Sequence, residues 1–108
     1  MDMASAGTPP AVVCTVEATR SGAALQLRGR VDARAPVSGA YRFELTKTGA
    51  AGVSHIGQGG EFTAGPGAPT TAGAATVDFA PGTRVRAVLS GTALGQPFSC
   101  AFEEASHD

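Results

Sequence analysis

Residues 24–32, Ala-Leu-Gln-Leu-Arg-Gly-Arg-Val-Asp, alternate apolar and polar side chains with a repeat of two. Leu25, Leu27 and Val31 fall on one side; Gln26, Arg28, Arg30 and Asp32 fall on the other. An extended strand repeats its side-chain direction every second residue, so this run predicts a strand with one buried face. A helix would scatter the same residues around its circumference. Gly29 lies on the inward side, where a missing side chain suits a bend or close packing.

The same period returns along the chain. In residues 11–19, Val12, Cys14, Val16 and Ala18 share one face. In residues 40–46, Tyr41, Phe43 and Leu45 point in, and Arg42, Glu44 and Thr46 point out. This is the most aromatic run and is expected to be a central strand. Residues 53–63, 74–80, 83–90 and 96–103 complete the set, with Val77, Phe79, Val85, Leu89, Phe98 and Cys100 among the inward positions. Turn residues separate the runs: Ser21-Gly22, Ala35 to Gly39, Lys47 to Gly52, Pro81-Gly82 and Gly91 to Gly95. Residues 64–73, Ala-Gly-Pro-Gly-Ala-Pro-Thr-Thr-Ala-Gly, are of low complexity and predict a mobile loop.

Seven short strands, no helical period, 15 glycines and 7 prolines predict an all-β fold, a seven-stranded immunoglobulin-like β-sandwich. The chain lacks the Cys…Trp…Cys pattern of antibody domains, having no tryptophan, and a small barrel is the alternative. A chain of 108 residues makes one domain. The expected division is a loose leader over residues 1–10, the sandwich over 11–104 and a polar tail over 105–108.

Within residues 53–63, Ile56, Gln58, Gly60 and Phe62 share a parity. A regular strand would point Gln58 inward, and an unpaired buried amide costs about 1–3 kcal/mol, so it would need partners: the Tyr41 hydroxyl or freed backbone groups. Gly57, Gly59 and Gly60 equally allow a bulge that turns Gln58 to the surface.

Several functions are disfavoured. A net charge of −1 leaves no overall footprint for nucleic acid or anionic lipid. No apolar run of about 18 residues exists, so no membrane insertion is expected. Residues 1–10 lack the basic-then-apolar pattern of a signal peptide, which leaves a cytosolic start and a mature chain with an added methionine both open. His55 and His107 are the two histidines, and no motif places a nucleophile or carboxylate beside either. No ligand spacing points to a metal, and Gln58-Gly59-Gly60 is too short for a phosphate loop. The reading is a non-enzyme without cofactor. Cys14 and Cys100 do not form a CxxC or CxC pair; a disulfide between neighbouring first and last strands and two buried thiols are both compatible with their places.

Outward arginines carry the remaining chemistry. Arg28 and Arg30 alternate on one strand, Arg84 and Arg86 on another, and Arg42 on a third. In a seven-strand sandwich the third, sixth and seventh strands usually share a sheet, so Arg42, Arg84 and Arg86 are expected as near neighbours on its outer face. Such a surface serves either as a solubilising face or as a docking surface for an acidic or polar partner.

Ser38-Gly39-x-Tyr41-Arg42-Phe43, a glycine loop, and then Gln58-Gly59-Gly60-x-Phe62 together resemble the curli-assembly chaperone family CsgC/CsgH, in particular its CsgH branch. The resemblance runs from Cys14 through Leu89. It implies a periplasmic immunoglobulin-like sandwich, with any signal peptide removed, that keeps an amyloid subunit, the major curlin, from polymerising before export. It implies action at low ratios to the client, without cofactor or nucleotide, by a monomer. The CsgC branch carries a CxC pair; this sequence has none, so thiol–disulfide activity is not carried over, and Cys14 and Cys100 read as structural. A structural or adhesive sandwich module of an extracellular assembly is the second reading. Against a self-assembling subunit stand the lack of a short repeat and of any asparagine.

Overall fold

The computed structural model describes residues 12–106. They form β1 (Val12–Ser21), β2 (Ala24–Ala33), β3 (Val37–Gly49), β4 (Gly52–Ala64), β5 (Thr70–Asp78), β6 (Arg84–Ala93) and β7 (Gln96–Ala105). All pairings are antiparallel, in a three-stranded sheet of order β1-β2-β5 and a four-stranded sheet of order β4-β3-β6-β7. The architecture is a β-sandwich, and the two separate sheets set the barrel aside. β3, β6 and β7 share a sheet as expected. β4 joins them by a hairpin with β3, whereas constant-type immunoglobulin domains carry the fourth strand in the other sheet. The expected leader over residues 1–10 and His107 lie outside the described residues.

The alternation read from the sequence becomes the core. Leu25, Leu27 and Val31 of β2, Phe43 and Leu45 of β3, and Val85, Ala87 and Leu89 of β6 are all at 2% exposure or less. These strands are the interior members of their sheets, as the aromatic content of β3 led us to expect. Burying each leucine or phenylalanine contributes about 1.5–3 kcal/mol. At one end of the four-stranded sheet, a ring on each outer strand covers a glycine on the strand beside it. The Phe62 ring of β4 occupies the space where a Gly39 side chain would stand, and the Phe98 ring of β7 does the same at Gly91. The two rings meet edge to face, 5.8 Å between centroids. Gly29 likewise lets β2 close on the Ala72 carbonyl and Leu89.

Two different links hold the sheets together along their two sides. On one side a disulfide joins Cys14 of β1 to Cys100 of β7, with the Cα atoms 5.9 Å apart. On the other, the Gln58 amide of β4 reaches the backbone of β5. Its Nε2 donates to the Ala74 carbonyl at 2.7 Å, and the Ala74 N–H donates to its Oε1 at 2.9 Å.

Residues 64–73 differ from the expected mobile loop. Gly65 and Ala68 exchange two backbone hydrogen bonds in a tight turn, and β5 has begun by Thr70. Ala72 is completely buried. The residues are small because the space is small: a side chain on Gly73, whose φ is +93°, would meet Phe43 at 2.5–2.9 Å. The chain also stays within the fold to Ser106, which is buried and donates its N–H to the Thr83 carbonyl at 2.7 Å.

Candidate functional site

The residues of the composite motif pair off across the β3–β4 hairpin. In register, Gly39 faces Phe62, Tyr41 faces Gly60, and Phe43 faces Gln58, all on the inner side of the sheet. The Tyr41 ring lies across Gly60, 3.4 Å from where a Cβ would be. Each large side chain thus has a glycine or the clamping glutamine opposite it. The spacing of both halves follows from this one register.

No bulge interrupts β4, which pairs with β3 without a shift from Gly52 to Ala64. The bulge expected as one option among Gly57, Gly59 and Gly60 lies in β5 instead. There Gly29 alone separates Arg28 and Arg30, whose partners Ala74 and Thr71 are separated by two residues, Ala72 and Gly73. Gln58 keeps its inward parity and is half-buried at the sandwich edge. Of its expected partners, the freed backbone groups are the ones it uses.

The opposite side of the same hairpin carries the chemistry exposed to a partner. Arg42 stands opposite Gly59, Glu44 opposite Gly57, and Thr46 opposite His55. The Arg42 Nε donates to a Glu44 carboxylate oxygen at 2.7 Å. His55 lies between Glu44, at 3.8 Å, and the Thr46 hydroxyl, at 3.1 Å. All four side chains are solvent-accessible, so the Arg42–Glu44 ion pair contributes about 0–1 kcal/mol and serves to fix geometry.

The sheet pairing corrects the expectation about the arginines in part. Arg42, Arg84 and Arg86 do share the outer face of the four-stranded sheet. They do not form one patch. Arg42 is in register with Ser90, while Thr46, four residues further along β3, is the partner of Arg86. Four residues of strand amount to about 13 Å. Glu44, Glu61 and Glu103 stand on the same face, so its three arginines meet three carboxylates. Arg84 and Arg86 stand at one end of it, with Glu103 in register opposite Arg86, and neither arginine makes an ion pair among the described residues. Arg28 and Arg30 are on the far side of the molecule, on the outer face of the three-stranded sheet. There Glu17 binds both, at 3.2 and 3.7 Å, and Asp32 binds Arg30 at 3.0 Å. The hydrogen bond to Asp32, and then its charge, raise the Arg30 pKa above its ordinary value and hold it as a paired cation.

Glu44 and the Ala74 backbone were absent from the sequence-derived set. The first was legible as a carboxylate two residues from Arg42 on the same face. The second left no signal, since any residue supplies an N–H and a carbonyl.

A cross-link between the outer strands of two sheets is the chemistry of an oxidising compartment. The comparisons agree with the fold. The family model described as CsgH protein matches residues 13–103. The solution structure of R. palustris CsgH superposes with a TM-score of 0.74 at 34% identity, over 85% of this chain and 91% of that one. The E. coli curli protein CsgC superposes with a TM-score of 0.74 at 15% identity, over 84% of this chain and 97% of that one, a likeness of fold alone. No curated protein sequence matches the chain. The match spans nearly all of the sandwich, its motif residues interlock across the β3–β4 hairpin, and the chain belongs to the CsgH family.

Proposed function

We propose that the protein is a periplasmic, chaperone-like inhibitor of amyloid subunit polymerisation, with a curli-type subunit, the major curlin, as its client. The observation that carries this reading is the match over residues 13–103 to the CsgH family, together with a fold shared with a curli protein of E. coli. The physical requirements are modest. An amyloid precursor grows by adding strands to an exposed edge, so a stable domain that engages early, partly ordered chains delays growth without any bond being made or broken. The four-stranded sheet offers the working surface. Arg84 and Arg86 at one end bias encounter with the client, and the charged pairs around Glu44 keep the face soluble. The disulfide and the Gln58 clamp supply the rigidity that keeps this domain from joining the fibre. Acting on rare nuclei would let a monomer work at low ratios to its client.

The reading is tested by sedimentation. A purified curli subunit is incubated with and without the protein, and the subunit left in the supernatant is followed over time. The expected result is a soluble subunit fraction that persists after the control has pelleted. Identical time courses would remove the proposal.

A further inference from the structure

A sandwich of two open sheets has four outer strands, here β1, β5, β4 and β7. β1 and β7 are stapled to one another by the Cys14–Cys100 disulfide. β7 also carries Pro97. β5 has the Ala74 N–H and carbonyl occupied by Gln58. β4 supplies the Gln58 side chain to that contact, but none of these devices takes up the N–H and carbonyl groups of its own edge. It holds no proline and no lysine, and no bulge twists it away. Edge strands of monomeric proteins usually show at least one such feature.

The register says which groups of β4 are exposed. The β6–β7 hairpin turns through two residues with positive φ, Leu94 and Gly95, so its closing pair Ala93–Gln96 is hydrogen-bonded. Antiparallel pairs alternate, and carrying that alternation across β6 and β3 turns the backbone groups of His55, Gly57, Gly59 and Glu61 toward the free edge. The same reasoning from the β1–β2 hairpin turns the Ala74 N–H and carbonyl outward on β5, where Gln58 meets them.

Two glycines of this edge are not required by the fold. A Cβ on Gly57 would meet no atom within 4 Å, and one on Gly59 would make only ordinary contact, 3.4 Å from the Tyr41 carbonyl oxygen. Neither has a positive φ. Bare positions in a strand weaken it unless another backbone or side chain comes close. Beside them on the outer face stand Arg42 and Glu44, bonded to each other.

We propose that the free edge of β4 around Gly57 and Gly59 receives an extended, uncharged segment of the client as an added strand. The inference rests on the inhibitor reading and names its contact. Main-chain hydrogen bonds supply the pairing, as in other strand-addition complexes. Side chains of the added strand lie over Gly57 and Gly59, within reach of Arg42 and Glu44. An amide suits that pair, since it accepts from a guanidinium and donates to a carboxylate. An acidic or basic segment would set a like charge against one member of the pair.

The test is amide exchange and shift mapping by NMR on the oxidised protein, with the uncharged peptide (Ser-Gln)6 as probe and (Ser-Glu)6 and (Ser-Lys)6 beside it. The uncharged peptide is expected to slow exchange at Gly57, Gly59 and Glu61 by about tenfold or more, and the charged peptides to do so less. A Gly57→Pro protein, which loses an edge N–H and no β3–β4 bond, is expected to bind at least about tenfold more weakly, while Gly57→Val, which keeps the N–H, folds and shows which loss is specific. Shifts confined to the Arg84–Arg86 end, or unchanged binding by a folded Gly57→Pro protein, would overturn the inference. So would protection of Gly57 and Gly59 that grows with protein concentration alone, since a second copy would then be the occupant. Fibre assays separate the two levels: equal delay by wild type and Gly57→Pro rejects the edge and keeps the inhibitor reading. Edge protection by the peptide without any delay by wild type keeps the edge and rejects the inhibitor reading.

Discussion

Gln58→Ala removes the side chain that, among the described residues, bonds β4 to the backbone of β5. Two hydrogen bonds are lost, of 2.7 and 2.9 Å. At about 1 kcal/mol net for each, the pair contributes about 2 kcal/mol. Ala74 is exposed, so water re-solvates its freed N–H and carbonyl and brings the expected loss to about 1–2 kcal/mol. For a domain of this size that is a fall in Tm of about 5–15 °C, read by thermal unfolding with circular dichroism. Gln58→Glu sharpens the test. The introduced carboxylate still accepts from the Ala74 N–H, but it sets negative charge against the Ala74 carbonyl. That contact raises its folded pKa above the unfolded value of about 4.3, so the native state binds more protons and stability is lost as pH rises through the folded value. The variant should be markedly less stable than wild type at pH 7 and should approach it near pH 4. Fibre inhibition should survive Gln58→Ala wherever the protein remains folded. A Tm within about 1 °C of wild type for Gln58→Ala, or a Gln58→Glu protein as stable as wild type at pH 7, would refute the assignment of Gln58 as the clamp between the sheets.

Replacing both Cys14 and Cys100 by serine opens a closure of 86 residues, for which chain entropy sets an upper limit of about 4–5 kcal/mol; the expected result is a lower Tm with the same β spectrum, and equal melting of the oxidised and reduced wild type would contradict it. Gly73→Ala, which combines a φ of +93° with a collision against Phe43, should lose about 3 kcal/mol or more, whereas Gly57→Ala, with nothing within 4 Å, should be neutral or gain up to about 1 kcal/mol in denaturant titrations. Changing Arg42, Arg84 and Arg86 together to alanine should weaken fibre inhibition and leave Tm nearly unchanged, because exposed charges of this kind hold little stability. Full inhibition by that triple variant would reduce the arginines to a solubilising role.

What could be read from the chain was what has a period. Leu25, Leu27, Phe43, Leu45, Val85 and Leu89 all point where the alternation puts them, and seven strands follow from it. Small residues carry no such signal. Ala72 and Gly73 looked like loop because alanine and glycine suit loops, yet they are small to let Phe43 and β2 close on them. The parity of Gln58 was legible, and its need for a partner was too. Its actual partner lies 16 residues away in the other sheet and is a backbone group, which no side-chain pattern reveals. The arginines show the same division. Their outward direction came from local alternation, whereas their partners, such as Glu17 for Arg28 across β1–β2, depend on register between strands. The motif that resembles the CsgH family was visible first as a string. Its reason, a zip of Gly39 with Phe62, Tyr41 with Gly60 and Phe43 with Gln58, needed the pairing.

The measurement that tests the proposed activity most directly is the thioflavin-T time course of a purified curli subunit with this protein at ratios from about one in a hundred up to equimolar. Action on rare nuclei predicts a lag that lengthens already at the lowest ratios, with the elongation slope little changed. A lag that is unchanged at every ratio would contradict the account.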